Sequence, residues 1–592
     1  AAFSGRCCLL DCAPMALSAM SELPDCPIHL GLQPLRLTLE SGLAVRLFSQ
    51  PWASRAGLCV RVNAGSHDEP LAYPGLAHFL EHLLFLGSAG FTAEQRLMPF
   101  VQACGGQVNA TTQANYTEYF CEVPADYLEE ALARLLDMLT RPLLDEAEQL
   151  RERDVVHAEF IARSQDVDTL LGAALGQTLA EGHRCAVFQA GNRDTLPVTD
   201  AAFQQALRTF HQAFYHAGNC QLSIVAPLSL VHLTALSKRH GALLPEVPAV
   251  VRSRPAPLLP LRTERLRLNL PNATATLHLG FALELPETHA DSALDWLLGW
   301  LLDEAPAGLN AGLRERGLGE VARAQVLYCH AGQALLLLSM RGGVAPNEAV
   351  ALLLDWLAFV SAQADPLAWH EAYQQTRQLR LCGMTPLALA RDWQAPASDD
   401  GGAICQLLQQ LQEPQRRCVL LADEHELPPW PGAGFPLKMR AEPALPLPVL
   451  RGRWQLPARN PLLAAAELPT VKLAVPAACR WLATPVDYRV PATMAVWQAR
   501  CCFAEPLGAS VLLNLAHTAL RAVTQHLHNV GISLSLEAEA ASLSVRVQGS
   551  ARLIPAAVGL LMPALLQPPP AQCSALAVAE APSMPIRQLL VA

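Results

Sequence analysis

The sequence contains no dense run of Lys or Arg, and lysine is almost absent beside arginine, which reflects coding bias. Together with a net charge of -10, this argues against a nucleic-acid surface. No uninterrupted apolar stretch reaches the roughly 20 residues needed to cross a bilayer. Residues 294–302 are broken by Asp295 and closed by Asp303 and Glu304, while residues 554–566 contain Pro555 and Pro563 and run into further prolines. These interruptions matter because apolar residues make up 51% of the chain, enough to raise the question of a membrane protein. The first 20 residues lack a positive segment followed by an apolar core and contain Cys7, Cys8, Asp11 and Pro14 instead. The expectation is a cytoplasmic location, with residues 1–27 as a poorly ordered tail. The 17 cysteines show no Cys-x-x-Cys pairs and no regular framework, which argues for reduced thiols and against a cysteine zinc site.

What is present begins with Tyr73-Pro74-Gly75-Leu76-Ala77-His78-Phe79-Leu80-Glu81-His82-Leu83-Leu84-Phe85-Leu86-Gly87. Pro74 suits a first helical position and Gly87 a left-handed stop, so the stretch predicts one helix of about three turns. His78 and His82 are four residues apart and Glu81 is three from His78, which puts all three on one face. Leu76, Phe79, Leu80 and Leu83 point into protein. Two imidazoles one turn apart suit a divalent metal, and a carboxylate beside them suits proton transfer from water, as in zinc peptidases. The pattern His-x-x-Glu-His is the inverzincin order. Alone it arises by chance in on the order of a few in a hundred chains of this length, and a lone helical His is more often a hydrogen-bonded core residue.

A chain of 592 residues implies about three to five domains. Strand patterns at residues 37–39, 43–47 and 57–62 lead into the His/Glu helix. A helix at 94–103 and a strand pair at 107–110 and 119–123 follow it. A helix opened by Pro124 and ended by Pro142, with Leu128, Ala131, Leu132, Leu135, Leu136 and Leu139 on its apolar face, is followed by helices at 145–165, 207–215 and 230–238 and a strand at 221–227, which complete an α+β domain: an antiparallel sheet with helices packed on one side. Proline-rich residues 248–260 read as a linker. Strands at 266–270, 274–281 and 319–339 and helices at 292–302 and 347–364 then repeat the plan. After a second proline-rich stretch, it recurs as strands at 471–475 and 495–503, a helix at 509–530 and two strands at 532–548. The expected division is a tail 1–27, a catalytic domain 28–245, a linker 246–262, a second domain 263–440, a linker 441–469 and a third domain 470–592. Only the first copy carries the His/Glu cluster.

A catalytic zinc needs three protein ligands and an open position. The best source of a third ligand is Arg151-Glu152-Arg153-Asp154-Val155-Val156-His157-Ala158-Glu159-Phe160. There Glu152 and Glu159 are seven apart and share a face. Glu159 suits a ligand and Glu152 an orienting role behind it. The plainer reading of both is solvated acids on a charged helix. In Gly105-Gly106-Gln107-Val108-Asn109-Ala110-Thr111, two glycines omit side chains where another backbone could approach, and the alternation suits an edge strand. A tight turn with no ligand explains the glycines equally well.

The segment from Pro74 to Ser88, the Gly105–Thr111 motif with Tyr119 downstream, the Glu152/Glu159 spacing, and Phe214-Tyr215-His216-Ala217-Gly218-Asn219 resemble the pitrilysin/insulinase family of zinc peptidases. The resemblance covers residues 42–236 strongly and the later domains more weakly. It implies zinc held by His78, His82 and Glu159, with Glu81 as base and Glu152 orienting the site. It also implies a peptide paired to the strand at Gly106, Val108, Asn109 and Ala110. The family's large members are four homologous domains closing as a clamshell around a peptide chamber, so a fourth domain is expected beyond the three seen here. The family's last domain supplies an Arg and a Tyr that contact substrate, and no matching positions occur in this sequence. The Leu/Ala/Pro-rich later domains and the short plan look most like a bacterial member acting on the precursor peptide of pyrroloquinoline quinone biosynthesis, or on its cross-linked product. The implied partner is a peptide, with neither nucleic acid nor membrane. The alternatives are a general oligopeptidase and a non-catalytic structural subunit.

Overall fold

The computed structural model describes residues 33–270, 275–342, 345–363, 365–394, 401–465, 494–502, 508–550 and 553–566. The chain divides into two compact units at residue 460. In the larger unit the first layer comprises β1 (Leu35–Thr38), β2 (Ala44–Ser49), β3 (Arg55–Val62), α1 (Leu76–Leu84), α2 (Leu97–Ala103), β4 (Gln107–Thr112), β5 (Thr117–Pro124), α3 (Leu128–Thr140), α4 (Glu146–Arg163), α5 (Val167–Gly176), α6 (Ala201–Phe214), β6 (Cys220–Ala226) and α7 (Leu230–Gly241). The second comprises β7 (Arg265–Asn269), β8 (Thr276–Glu284), α8 (Ala290–Leu301), α9 (Leu309–Glu315), β9 (Glu320–His330), β10 (Gln333–Arg341), α10 (Pro346–Ala362), α11 (Pro366–Cys382), α12 (Pro386–Ala390), α13 (Gly402–Gln412), β11 (Arg417–Asp423) and β12 (Met439–Ala441).

The two sheets share one plan, β1-β2-β6-β3-β5-β4 and β12-β7-β11-β8-β10-β9. Neither is wholly antiparallel as expected. β2 pairs β6 in parallel and β7 pairs β11 in parallel, while the other pairs are antiparallel. A parallel pair needs a long crossover, and β6 returns beside β2 after helices α1 to α6, as β11 returns beside β7 after helices α8 to α13.

The expectation of helices on one side only also needs correction. The inner face of the first sheet packs Leu58, Val60 and Leu222 against Leu80, Leu132 and Leu207 of the helices. Its outer face packs Phe48, Cys59, Phe120 and Val225 against Leu389 and Ala390 of α12, which belongs to the second layer. The exchange is reciprocal: Leu170, Leu171, Ala174 and Leu175 of α5 cover Leu266, Ala282, Leu335 and Leu420 on the second sheet. Each crossing meets a glycine on the fourth strand of its sheet. A Cβ on Gly57 would lie 2.4 Å from the Pro386 backbone, and one on Gly280 would lie 2.1 Å from Leu175. With both faces covered, β3 is buried along most of its length, which explains its unbroken Gly57-Leu58-Cys59-Val60.

In the larger unit α5, α9, α11, α12, α13, β11 and β12 lie outside the elements read from sequence. α5 contains Gly172 and Gly176, which weaken a helical pattern, and α11 interleaves its apolar residues with His370, Glu371, Gln374, Gln375, Arg377 and Gln378. Residues 246–264 form no regular element. After β12 the chain is tied to α10 through Asp355, which accepts from Gly452 N–H at 2.8 Å and Trp454 Nε1 at 2.8 Å and pairs with Arg451 at 2.6 Å.

The smaller unit contains α14 (Pro461–Ala465), β13 (Met494–Cys502), α15 (Ala509–Asn529), β14 (Ser533–Glu539), β15 (Ser542–Ser550) and α16 (Ile554–Leu566). Its three strands run β13-β15-β14, all antiparallel. Leu512, Ala516 and Leu520 of α15 and Val545 and Val547 of β15 are buried. The strand expected at 471–475 lies outside the described residues. Among the described residues, no single helix is long and apolar enough to cross a membrane.

Candidate metal centre

α1 runs nine residues from Leu76 to Leu84, shorter than the three turns expected. Gly75 takes φ 91°, a left-handed conformation that cannot continue a helix, so Pro74 stays outside. A Cβ at Gly75 would also lie 2.2 Å from the Gly191 Cα. At the other end Phe85 closes the helix and Gly87 follows with φ 140°. The helix is buried apart from His82, and even His78 and Glu81 are only 6% and 9% exposed.

α4 packs against α1. Asp145 caps α4 by accepting from Glu148 N–H at 3.0 Å, which starts the helix at Glu146, six residues before Glu152. Glu159 then faces the two imidazoles, its Oε2 lying 3.7 Å from His78 Nε2 and 3.5 Å from His82 Nε2. One donor atom from each of the three residues lies within 4.8 Å of the others.

Each imidazole is anchored through its other nitrogen. His78 Nδ1 donates to the Ala190 carbonyl oxygen at 2.7 Å, and His82 Nδ1 donates to Glu152 Oε1 at 2.7 Å. Both bonds turn Nε2 toward Glu159. Glu159 Oε1 is paired with Arg163, leaving Oε2 for the imidazoles. Burial holds His78 down at about 4. Burial also opposes charge on His82, but its hydrogen bonds to Glu152 and Glu159 outweigh that and push it up to about 9. The His82 hydrogen bond draws the Glu159 carboxyl down to about 2 against the effect of burial. Two nitrogens and one carboxylate oxygen, each oriented from behind, match the donor set that a catalytic zinc site requires, and their separation could hold one ion.

Glu81 sits on the same helix, and its Oε2 accepts from Thr112 Oγ1 at 2.5 Å. Burial raises the Glu81 carboxyl while the Thr112 hydrogen bond opposes that. Thr112 ends β4, a strand at the edge of the first sheet. Val108 and Ala110 pack inward on the core, whereas Asn109 is exposed. Gln113 N–H bonds the Tyr116 carbonyl at the hairpin end, and Ala110 N–H is turned to Asn109 Oδ1 at 2.8 Å. With alternation of paired and unpaired positions, this leaves the Val108, Ala110 and Thr112 backbone on the free side of the edge. The glycines have an internal reason. A Cβ on Gly106 would lie 2.4 Å from the Glu122 carbonyl of β5, and Gly105 takes φ 66° with open space around it.

Sequence reasoning did not reach Thr112, Arg163, Ala190 or Glu69. Thr112 stands one residue beyond the motif that was read, and Arg163 one turn beyond Glu159. Ala190 acts through its carbonyl alone, which leaves no mark in sequence.

The family described as Insulinase (Peptidase family M16) matches residues 45–186, and the Peptidase M16 inactive domain matches residues 203–375. The chain is 48% identical over 331 residues to "Coenzyme PQQ synthesis protein F" of Pseudomonas aeruginosa, covering 56% of this chain and 43% of that protein. It is 41% identical over 438 residues to the protein of the same name from Pseudomonas syringae pv. tomato, covering 72% and 55%. The chain thus spans about half the length of the curated relatives it matches. The crystal structure of pitrilysin superimposes with a TM-score of 0.63 at 19% identity, over 92% of this chain and 64% of that one. Two family matches in succession, close sequence relatives and a pitrilysin-like fold agree: the chain belongs to the insulinase, or M16, peptidase family.

Proposed function

We propose that the protein is a zinc-dependent endopeptidase acting in the cytoplasm on the precursor peptide of pyrroloquinoline quinone biosynthesis, or on its cross-linked product. The observation that carries the reaction is the convergence of His78 Nε2, His82 Nε2 and Glu159 Oε2 beside the buried Glu81. The relatives named for coenzyme PQQ synthesis support the substrate. His78, His82 and Glu159 would hold the zinc. A zinc ion bound there supplies Lewis acidity toward the scissile carbonyl and makes its water more acidic. Glu81 takes the proton from that water and carries it to the leaving amine. Thr112 holds one Glu81 oxygen and leaves the other for the proton. Glu152 fixes His82, and Ala190 fixes His78. The free side of β4 accepts the peptide through its main chain at Val108 and Ala110, with Gly106 before them and the exposed Asn109 side chain between them. The second and third α+β copies lack the His/Glu set and serve as inactive domains.

The test is mass analysis of products from the biosynthetic precursor peptide, with and without a chelator. Chelator-sensitive cleavage at a defined bond supports the proposal. Equal cleavage of a panel of unrelated peptides would make the enzyme a general oligopeptidase instead, and no cleavage by zinc-loaded protein would favour a structural subunit.

A further inference from the structure

α1 has no N-cap side chain of its own and no acid in its first turn. Gly75, at the cap position, has nothing to offer the free amides that open every helix. Those amides are met by Glu69, six residues upstream. Its Oε1 accepts from Gly75 N–H at 2.8 Å and its Oε2 from Ala77 N–H at 3.0 Å, so both oxygens are engaged. Glu69 is itself buried, 2% exposed. Burial pushes its carboxyl up to about 8, opposed by the amides of Ala77 and Gly75 and by the Arg184 charge.

The loop bearing Glu69 is pinned in turn. Arg184 donates from Nε to the His67 carbonyl at 3.0 Å and from Nη2 to the Glu69 carbonyl at 2.6 Å. A few residues on, Ala190 accepts from His78 Nδ1 and Gly191 lies against Gly75. Residues 184–191 therefore hold both the loop bearing Glu69 and the start of α1, and Glu69 is the side chain that joins that loop to the helix backbone.

We propose that Glu69 is a positioning residue of the metal centre: by holding the Gly75 and Ala77 amides it fixes the first turn of α1, and with it the direction in which His78 presents Nε2. The inference rests on the zinc reading of His78, His82 and Glu159. Without Glu69, two buried amides lose their acceptors, and metal binding must re-form a turn that is otherwise built in advance.

The test measures the Zn2+ dissociation constant of the folded chain by competition with a chromogenic chelator, for wild type, Glu69→Ala and Glu69→Gln, well below their unfolding temperatures. Supporting partners of metal ligands shift affinity by about 10–100-fold, and Glu69→Ala is expected to weaken zinc within that range. Glu69→Gln keeps one acceptor but turns an NH2 toward the other amide, so a smaller loss is expected. A purely structural Glu69 lowers the unfolding temperature and leaves the affinity of the folded protein unchanged, and that result in a folded variant overturns the proposal. Should Glu69→Ala not fold, Glu69→Gln decides by the same criterion. Faster hydrogen exchange at the Gly75 or the Ala77 amide of metal-free Glu69→Gln is also expected, and wild-type exchange at both counts against the proposal. Failure of the zinc reading is distinguishable, since wild type would then bind no zinc, or bind it equally after His78→Ala.

Discussion

His82 Nδ1 and Glu152 Oε1 are 2.7 Å apart, which places a carboxylate of α4 behind an imidazole of α1 and points the other ring nitrogen at Glu159. The two acids of α4 therefore differ in role although they share a face. Glu159→Gln removes a donor to the ion, whereas Glu152→Gln only loosens the ring that carries one. Chelator titration should show a large loss of zinc affinity for Glu159→Gln and a loss of about 10–100-fold for Glu152→Gln. Equal affinities for the two variants would reverse or merge these assignments.

Glu81→Gln should leave zinc content unchanged and abolish turnover. The amide keeps the shape of the side chain and can still accept from Thr112, but it cannot take a proton from water. Wild-type turnover in a zinc-loaded Glu81→Gln protein would show that the base lies elsewhere.

Proline at Val108 or Ala110 deletes an amide on the free side of β4 while leaving the bonds to β5 at Gln107, Asn109 and Thr111. Each main-chain bond lost to a peptide should raise the Michaelis constant about 3–10-fold, with zinc content unchanged. An unaltered Michaelis constant in both folded, zinc-loaded variants would remove this edge as the docking strand.

His278 gives an acid-sensitive contribution remote from the metal helix. It is buried in β8, its Nδ1 is 2.9 Å from Ser339 Oγ and its Nε2 is 2.9 Å from Thr276 Oγ1. Burial lowers it from 6.5 to about 4. The unfolded chain therefore binds the proton more readily, so the stability is present above pH 6.5 and is lost as pH falls toward 4. Between pH 8 and pH 5 the loss is about 2 kcal/mol. Urea unfolding at the two pH values should show a smaller difference for His278→Gln than for wild type, and an unchanged difference would place the titration elsewhere.

The elements of the site were legible in sequence because they are local. Spacing alone puts His78, Glu81 and His82 on one face, and a seven-residue interval aligns Glu152 with Glu159. The hairpin of β4 and β5 declares itself through alternation between turn residues. What stayed hidden is the set of contacts that close over long separations. The parallel pairs β2–β6 and β7–β11 depend on which strand returns to which neighbour, and no local pattern encodes that. Glu69 carries no local signal, because its role depends on a helix that lacks a cap of its own. The cluster's helix was drawn too long because Pro74 and Gly87 are sound boundary residues, yet Gly75 had already taken the left-handed turn.

Residues of α5 and α12 are exchanged between the two layers, and this has a consequence for how the chain reaches its native state. Arg46 of β2 is buried and donates to the Leu389 and Ala390 carbonyls at 3.2 and 3.0 Å, closing the end of α12 from 343 residues away in the case of Leu389. During synthesis the first sheet thus emerges with Phe48, Cys59, Phe120 and Val225 uncovered, and it waits until α12 has left the ribosome before that face is dry. Contacts of such separation make folding slow, and they tie the two layers into one cooperative event in which neither sheet completes its core alone.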